Sequence, residues 1–104
     1  MNGGEGVFVI VWEFEARAGK EPEFEQAYSA QGEWAKLFAR SPEYRGTELL
    51  QSAERNYYLT IDRWTSAEAF AAFRERWAAE YEALDRACKA LTQRETAIGR
   101  FETR

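Results

Sequence analysis

The sequence contains no histidine, and this absence excludes more chemistry than any other feature of its composition. Histidine is the most frequent general base in enzymes, a leading metal ligand and the usual axial ligand of haem. We therefore expect no metal centre and no cofactor. Any catalysis must depend on carboxylates, tyrosine, arginine, tryptophan or the substrate itself.

Cysteine and long apolar runs are scarce as well. Cys88 is the only cysteine, so no internal disulfide can form, which favours a reducing compartment such as the cytoplasm. No apolar run approaches the length of a membrane-spanning helix, and the apolar segment 7–12 lacks the preceding basic residues of a signal peptide. We predict a cytoplasmic protein without a membrane partner.

Positive charge is limited, because 14 lysine and arginine residues stand against 18 acidic residues, which leaves a net charge of −4. Neither a basic run nor a basic stripe occurs in the sequence. Nucleic acid and anionic membranes are therefore not expected as partners.

Aromatic residues are abundant instead, at 15% of the 104 residues. The length corresponds to one domain with a single core. Residues 1–6 are rich in glycine and are predicted to be a flexible leader, so the domain is expected to comprise residues 7–104.

The stretch 59–73 organises the rest of the chain, because a strand ends and a helix begins inside it. Alternation of apolar and polar residues predicts a strand that ends at Trp64. Thr65 and Glu68 have the spacing of a capping box, so the next helix is expected to begin directly after Trp64. Trp64 would then lie at the seam between sheet and helix.

The other elements are predicted from periodicity and from turn residues. They are a strand at 7–15, a helix at 22–40, strands at 46–52 and 57–64 joined by a turn at 53–56, one long helix whose apolar stripe runs over 70–91, and a strand at 92–102.

This order predicts an α+β protein of the ferredoxin-like βαββαβ class, with a four-stranded antiparallel sheet and two helices on one face. Val7, Val9 and Val11 make the second face of the first strand apolar too. Because two helices cover only one face, we expect another copy of the protein to cover the other. The expected assembly is a homodimer in which two sheets form a dimeric α/β barrel.

Three segments together resemble the antibiotic biosynthesis monooxygenase family. They are DRWTSAEAFAAF at 62–73, the first strand with its turn at Gly19, and EFEQAY at the start of the first helix. The resemblance covers almost the whole chain and implies a dimeric α/β barrel. Members of the family include cofactor-independent monooxygenases of polyketides and quinols, haem-degrading enzymes, and small proteins without an established activity.

Carried over residue by residue, Trp64 matches the family's tryptophan at the end of the third strand. In haem-degrading members this tryptophan works with an asparagine on the first strand, whose position falls at or near Trp12, and with a histidine on the second helix. The lack of histidine therefore disfavours haem degradation. The oxygenase branch needs no metal, because a deprotonated phenol or enol passes an electron to dioxygen itself.

Such an oxygenase needs an apolar aromatic slot with one or two polar groups. The candidate catalytic residues are Trp64, Tyr58, Asp62 and Arg63, and the candidate substrate-binding residues are Trp12, Tyr28, Trp34, Phe38, Phe73, Trp77 and Tyr81. Asp62 and Arg63 face opposite sides of a regular strand, so they cannot act together on one ligand. Cys88 continues the apolar face of its helix and is expected to be a buried small residue.

Three hypotheses about function remain open. A cofactor-free monooxygenase acting on an aromatic, quinol or polyketide-like molecule predicts an enclosed aromatic cavity between helices and sheet that reaches solvent and contains Trp64 and at least one tyrosine or arginine. A non-enzymatic binding domain requires a cavity without an ionisable group placed for proton transfer. A structural dimer would have its pocket filled by Trp12, Trp34 and Trp77, since an aromatic stripe is also what a core requires.

Overall fold

The computed structural model describes residues 7–53 and 57–104. Within them the chain forms β1 (Phe8–Ala16), α1 (Glu21–Tyr28), α2 (Glu33–Phe38), β2 (Tyr44–Gln51), β3 (Tyr57–Trp64), α3 (Ala67–Arg76), α4 (Ala78–Cys88), a 3-10 turn (Lys89–Leu91) and β4 (Thr92–Glu102). The predicted leader at 1–6 and residues 54–56 of the predicted turn lie outside the described residues.

The strands form one antiparallel sheet in the order β2-β3-β1-β4. This order, with its helical crossovers, is the ferredoxin-like α+β arrangement, which confirms the predicted fold class. Strands β3 and β4 have the predicted bounds, whereas the ends of β1 and β2 are displaced by one or two residues. Within one chain the sheet is open, with β2 and β4 at its edges.

The helices cover the face of the sheet that carries the even-numbered residues of β1, here called the inner face. Phe8, Ile10 and Phe14 of this face are buried. The Phe14 ring centroid lies 5.6 Å from that of Phe24 and 4.7 Å from that of Tyr28, both on α1. Burial of each such side chain stabilises the fold by roughly 1.5–3 kcal/mol. The core therefore forms between the inner face and the helices.

The structure corrects the prediction of one helix over 22–40, because this part of the chain contains two helices, α1 and α2. α1 ends at Tyr28, and Ser29 has extended backbone angles (φ −72°, ψ 172°). Gly32 then lies against the end of α1, where a Cβ atom would be 2.4 Å from the carbonyl oxygen of Gln26. The close approach of two backbones, which helical periodicity does not reveal, accounts for the break.

The long helix predicted after β3 is also divided, at Trp77, into α3 and α4. Trp77 has backbone angles of φ −111° and ψ 31°, which lie outside the helical range. Phe73 before the break packs against Trp64, whereas Tyr81 after it packs against Trp34. The aromatic stripe predicted for one straight helix therefore reaches two different parts of the interior.

The N-cap of α3 lies one residue later than predicted. Ser66 is the cap, and its hydroxyl oxygen accepts a 3.0 Å hydrogen bond from the Ala69 N–H. Thr65 is engaged elsewhere, since its N–H donates to the Glu43 carbonyl oxygen at 3.0 Å and its hydroxyl donates to the Glu43 carboxylate at 2.7 Å. The predicted capping box between Thr65 and Glu68 is therefore wrong, although α3 begins close to the expected place.

The opposite face of the sheet, here called the outer face, has an apolar centre, and no helix of the described part of the chain packs on it. It carries Val9 and Val11 of β1, which pair with Ile61, Gly99 and Phe101 and with the charged Arg63. Phe101 of β4, which pairs with Val9, is 50% exposed, and Leu50 of β2 is 43% exposed. Exposed apolar side chains of this size mark surfaces that contact other molecules.

We expect Gly32→Ala to destabilise the protein, because the new methyl group would lie 2.4 Å from the Gln26 carbonyl oxygen and 2.7 Å from that of Ala27. Relief of this overlap requires α2 to move away from α1, at a cost of about 2 kcal/mol. Urea denaturation followed by tryptophan fluorescence measures the loss. Gln31→Ala changes an exposed neighbour and should leave the midpoint unchanged. Equal midpoints for both variants would contradict the close contact of the two helices.

Candidate functional site

A cavity of about 310 Å³ lies between the inner face of the sheet and the helices. All four strands and all four α-helices contribute to its wall, and its volume suits a small organic ligand. The lining residues are Trp12, Phe14, Tyr28, Trp34, Phe38, Thr47, Thr60, Asp62, Arg74, Tyr81, Asp85, Lys89 and Glu95.

Six aromatic side chains form the apolar part of the wall, and Trp34 connects several of them. The centroid of the Trp34 ring lies 6.2 Å from that of Tyr28, 5.7 Å from that of Phe38 and 4.9 Å from that of Tyr81. Trp12 belongs to the sheet side of the same wall. Because aromatic rings attract other rings stacked on them or placed edge to face, this wall suits a planar aromatic ligand.

Asp62 of β3 is an acidic group on the sheet side of the cavity, and strand pairing places it there. It lies opposite Ile10 of β1 and Thr47 of β2. Residues opposite one another in an antiparallel sheet share a face, and alternate residues along a strand do so too. Thr60 and Asp62 therefore both face the helices.

A chain of hydroxyl groups holds the Asp62 carboxylate. The Thr47 hydroxyl donates to Asp62 Oδ1 at 2.6 Å. The Thr47 oxygen also lies 2.5 Å from the Tyr44 hydroxyl oxygen. Since the single Thr47 proton goes to Asp62, Tyr44 is the donor in this second hydrogen bond. The chain thus runs from Tyr44 through Thr47 to the cavity.

The environment of Asp62 changes its acidity. Burial raises the pKa of Asp62 to about 6, and the hydrogen bond from Thr47 opposes this rise. Burial raises the pKa because it disfavours the ionised form, whereas the donated hydrogen bond stabilises that form. Asp62 is therefore a carboxylate that takes up a proton near neutral pH, as a general base requires.

Four charged residues lie on the helix and β4 sides of the cavity, and three of them are linked. Lys89 Nζ lies 3.8 Å from Asp85 Oδ2 and 3.9 Å from Glu95 Oε2. The Thr92 hydroxyl donates a 2.9 Å hydrogen bond to Glu95 Oε2. The fourth, Arg74, stacks on Tyr81 with its guanidinium carbon 3.9 Å from the ring centroid.

Two other ionisable groups near the cavity remain protonated near neutral pH. Burial is the main cause that raises the pKa of the Tyr28 hydroxyl and of the Cys88 thiol above their ordinary values. Cys88 is buried, as its place on the apolar helix face predicts. Neither group is suited to act as a base or a nucleophile in this state.

Tyr58 and Arg63, both catalytic candidates, lie outside the cavity. The Tyr58 hydroxyl donates to Glu25 Oε2 at 2.7 Å, and burial together with this hydrogen bond raises the pKa of Tyr58 to about 12. Arg63 Nη1 lies 3.2 Å from Glu48 Oε1. The strand register accounts for both placements, since it directs Tyr58 toward α1 and Arg63 to the outer face.

Trp64 is fully buried in the core and does not line the cavity. Its ring centroid is 5.4 Å from that of Phe38, 5.3 Å from those of Tyr44 and Phe70, and 5.2 Å from that of Phe73. Within residues 7–53 and 57–104, its indole N–H is buried without a hydrogen-bond partner. α3 begins shortly after Trp64 and packs Phe70 and Phe73 over the indole, which closes it off from the cavity.

Phe73 and Trp77, expected in the aromatic slot, also lie outside the cavity. The Phe73 centroid lies 5.4 Å from that of Phe38 and 5.2 Å from that of Trp64, within the core. Trp77 is half-buried at the junction of α3 and α4, with the Arg40 guanidinium carbon 4.8 Å from its ring centroid. The break at Trp77 removes it from the helix face on which the sequence pattern placed it.

The structure thus brings one catalytic candidate and five binding candidates to the same cavity, namely Asp62, Trp12, Tyr28, Trp34, Phe38 and Tyr81. The lining residues that sequence reasoning missed are Phe14, Thr47, Thr60, Arg74, Asp85, Lys89 and Glu95. Two of them were predictable from strand alternation, which places Phe14 on the same face of β1 as Trp12 and Thr60 on the same face of β3 as Asp62. The sequence gives no comparable indication for Thr47, because its position beside Asp62 depends on how β2 pairs with β3.

Residues 7–53 and 57–104 contain neither a metal-binding cluster nor a membrane-spanning helix. Nowhere in these ranges are three or more acidic, cysteine or histidine side chains grouped so that they would hold a metal ion. None of the helices there has the length and apolar character needed to cross a membrane.

The strand order and the cavity define a class of protein, an α+β ferredoxin-like domain with an aromatic cavity between sheet and helices. The family described as antibiotic biosynthesis monooxygenase matches residues 7–88, which is more than half of the chain. The chain therefore belongs to the antibiotic biosynthesis monooxygenase family.

Solved structures share this fold at low sequence identity. A variant of SnoaB, a cofactor-independent oxygenase from Streptomyces nogalater, is 24% identical with a TM-score of 0.76, over 97% of this chain and 95% of SnoaB. An uncharacterized NIPSNAP domain protein from Burkholderia xenovorans is 22% identical with a TM-score of 0.63, over 93% of this chain and 92% of that protein. A protein from Shewanella oneidensis is 16% identical with a TM-score of 0.68, over 96% of this chain and 93% of its own. No curated protein matches the sequence significantly.

We expect Thr47→Val to raise the pKa of Asp62 above about 6, because the substitution removes the hydrogen bond that stabilises the ionised carboxylate. A carbon-detected NMR titration of the aspartate carboxyl groups measures this pKa. Thr60 lines the same cavity and lies on the same strand as Asp62, so Thr60→Val serves as the control. A Thr47→Val protein with an unchanged or lower Asp62 pKa would contradict the assigned role of the Thr47 hydroxyl.

Proposed function

We propose that the protein is a cofactor-independent monooxygenase that oxidises an aromatic, quinol or polyketide-like small molecule with dioxygen. One observation carries the proposal: the Asp62 carboxylate lies in the wall of an aromatic cavity and has a pKa of about 6. Family membership and the fold shared with SnoaB, described as a cofactor-independent oxygenase, support it.

The proposed reaction begins when Asp62 takes the proton of a bound phenol or enol. The anion transfers one electron to dioxygen, and the substrate radical and superoxide combine at a ring carbon to form a peroxide anion. Asp62 returns its proton to the peroxide, which then loses water and leaves a carbonyl group. One oxygen atom enters the substrate, and the other leaves as water with the proton that Asp62 took from the substrate hydroxyl and the hydrogen atom of the reacting carbon. All electrons come from the substrate.

The cavity supports this sequence of steps through orientation and proton transfer. Trp12, Trp34 and Tyr81 provide aromatic surfaces on which a planar substrate stacks. The hydrogen bond from Thr47 holds one oxygen of Asp62, so the carboxylate has a defined orientation. Trp64 acts in this proposal as a positioning residue, because its ring contacts that of Tyr44, whose hydroxyl bonds to Thr47.

Two observations weigh against the alternative functions. A pocket filled by Trp12, Trp34 and Trp77 is disfavoured, because the cavity has a volume of about 310 Å³ and Trp77 lies outside it. A purely binding role predicts no ionisable group placed for proton transfer, whereas Asp62 lines the wall.

We expect Asp62→Asn to reduce dioxygen consumption at least about 100-fold, because it removes the general base. The assay uses an oxygen electrode with anthrones and hydroquinones as substrates, and it records quinone formation by absorbance. In the unsubstituted protein, kcat/KM should rise with pH through an apparent pKa near 6. Full activity of Asp62→Asn, or a rate that does not depend on pH in this range, would overturn the proposal.

Two controls accompany this experiment. Glu82→Gln neutralises an exposed carboxylate outside the cavity and should retain full activity. Asp62→Asn should remain folded, because the folded protein favours the neutral form of this side chain. This preference follows from the pKa of Asp62, which is about 6 in the folded protein, above its ordinary value of 3.8. Protonated Asp62 favours folding, and this contribution is lost as the pH rises through about 6. The neutral amide should therefore not lower the melting temperature at pH 8.

We further propose that the protein is a homodimer in which the outer faces of two sheets pack together. The support is the apolar outer face, with Val9 and Val11 at its centre and Phe101 half-exposed at its edge. Burial of this surface by a second copy would remove apolar area from water on both chains.

We expect Val11→Lys to convert the dimer to a monomer, because it places a charge at the centre of the outer face. Sedimentation velocity at several concentrations measures the mass. Ala83→Lys adds the same charge on an exposed position of α4 and should leave the dimer intact. A monomer in the unsubstituted protein, or a dimer in Val11→Lys, would contradict this interface.

A further inference from the structure

Arg74 has no acidic partner among the described residues, whereas Lys89, the other cation of the cavity, has two. Arg74 lies in the last turn of α3 and lines the cavity. Within residues 7–53 and 57–104, no carboxylate lies within 4.0 Å of its guanidinium nitrogens, and these nitrogens donate no hydrogen bond. The five N–H groups of a guanidinium are therefore available to a ligand.

The second cation of the cavity is in a different situation. Lys89 Nζ lies within 3.8 Å of Asp85 and 3.9 Å of Glu95, so two carboxylates already balance its charge. A ligand anion beside Lys89 would be repelled by both of these acids. Arg74 is thus the position of the cavity at which an anionic group is best accommodated.

The contact with Tyr81 gives the Arg74 side chain a defined position. The guanidinium carbon lies 3.9 Å from the centroid of the Tyr81 ring, within the range of a cation–π interaction. Stacking uses the flat face of the guanidinium and leaves its N–H edge free. That edge matches the two oxygens of a carboxylate, with which arginine forms paired hydrogen bonds.

Tyr81 also connects this cation to the aromatic part of the wall, because its ring centroid lies 4.9 Å from that of Trp34. A planar ligand stacked in the cavity would therefore have one edge beside the Arg74 guanidinium. Asp62 belongs to the sheet side of the same cavity, whereas Arg74 belongs to the helix side. The two groups offer one ligand a proton acceptor and a cation at separate places.

We propose that Arg74 is a specificity-determining residue, and that the substrate is an aromatic acid whose carboxylate binds the Arg74 guanidinium. The reaction of this substrate rests on the oxygenase function proposed above. Its binding does not, because recognition of the carboxylate requires only the cavity, Tyr81 and Arg74.

Two non-reactive probes test the inference, anthraquinone-2-carboxylate and anthraquinone-2-carboxamide. They have nearly the same shape, differ in charge, and as quinones are already oxidised. Quenching of tryptophan fluorescence reports their binding, since Trp12 and Trp34 line the cavity. We expect the unsubstituted protein to bind the carboxylate about tenfold more tightly than the carboxamide, with the difference decreasing as salt is added.

Variants of two arginines on the same helix provide the decisive comparison. Arg74→Gln should abolish the preference for the carboxylate without changing carboxamide affinity, and Arg74→Lys should retain part of it. Arg76→Gln is the matched control, because the Arg76 guanidinium also stacks on an aromatic ring, 5.1 Å from the Trp77 centroid, but lies outside the cavity. Arg76→Gln should retain the full preference.

The outcomes separate this inference from the proposed reaction. Equal affinity for both probes in the unsubstituted protein, binding of neither probe, or an unchanged preference in Arg74→Gln would overturn the role of Arg74. A preference that depends on Arg74 in a protein that consumes no dioxygen with any aromatic acid would support carboxylate recognition and overturn the oxygenase function. Arg74 is exposed, so Arg74→Gln is expected to fold normally, which thermal denaturation checks.

Discussion

The register of β3 between β1 and β2 is the constraint on which both the core and the cavity depend. Asp62 pairs with Ile10 and Thr47, so its side chain and that of Trp64 face the helices. A slip of one residue would turn both side chains outward and bring Arg63 inward. The cost of exposing Trp64 and burying an arginine in this layer makes such a slip unfavourable. The same pairing that buries the indole therefore also places the carboxylate in the cavity.

Neighbouring inward residues of β3 meet different surroundings. Trp64 is covered by Phe70 and Phe73 of α3, and it lies in the dry core. Asp62, two residues earlier, borders a cavity and receives a hydrogen bond from Thr47. A buried carboxylate without such a donor would be costly, and the donor keeps the ionised form accessible near neutral pH. Tyr44 joins the two regions, since its ring packs on Trp64 while its hydroxyl bonds to Thr47.

Periodicity was sufficient to predict the fold but not the breaks in its helices. Strand alternation and helical spacing are local properties, and they correctly predicted the bounds of β3 and β4 and the βαββαβ order. The division at 29–32 accompanies the close approach of Gly32 to the carbonyl oxygen of Gln26. The division at Trp77 separates Phe73, which packs on Trp64, from Tyr81, which packs on Trp34. Contacts of this kind follow from the assembled structure. They explain why Phe73 and Trp77, on a single predicted stripe, lie outside the cavity.

The sequence by itself determined the chemistry available to this protein, because a chain without histidine and with one cysteine has mainly carboxylates, tyrosines and arginines for proton transfer and charge recognition. It also determined the face of β3 to which Asp62 belongs, since alternation is a property of the strand itself. Only the tertiary structure decided which groups surround that carboxylate. The partnership of Asp62 with Thr47 depends on pairing between strands, and the position of Arg74 over Tyr81 depends on the packing of α3 against α4. Thr47 and Asp62 lie on different strands, and local sequence patterns carry no information about how strands pair in space. Arg74 and Tyr81 are close in the sequence, but the break at Trp77 between them is a feature that helical periodicity did not predict.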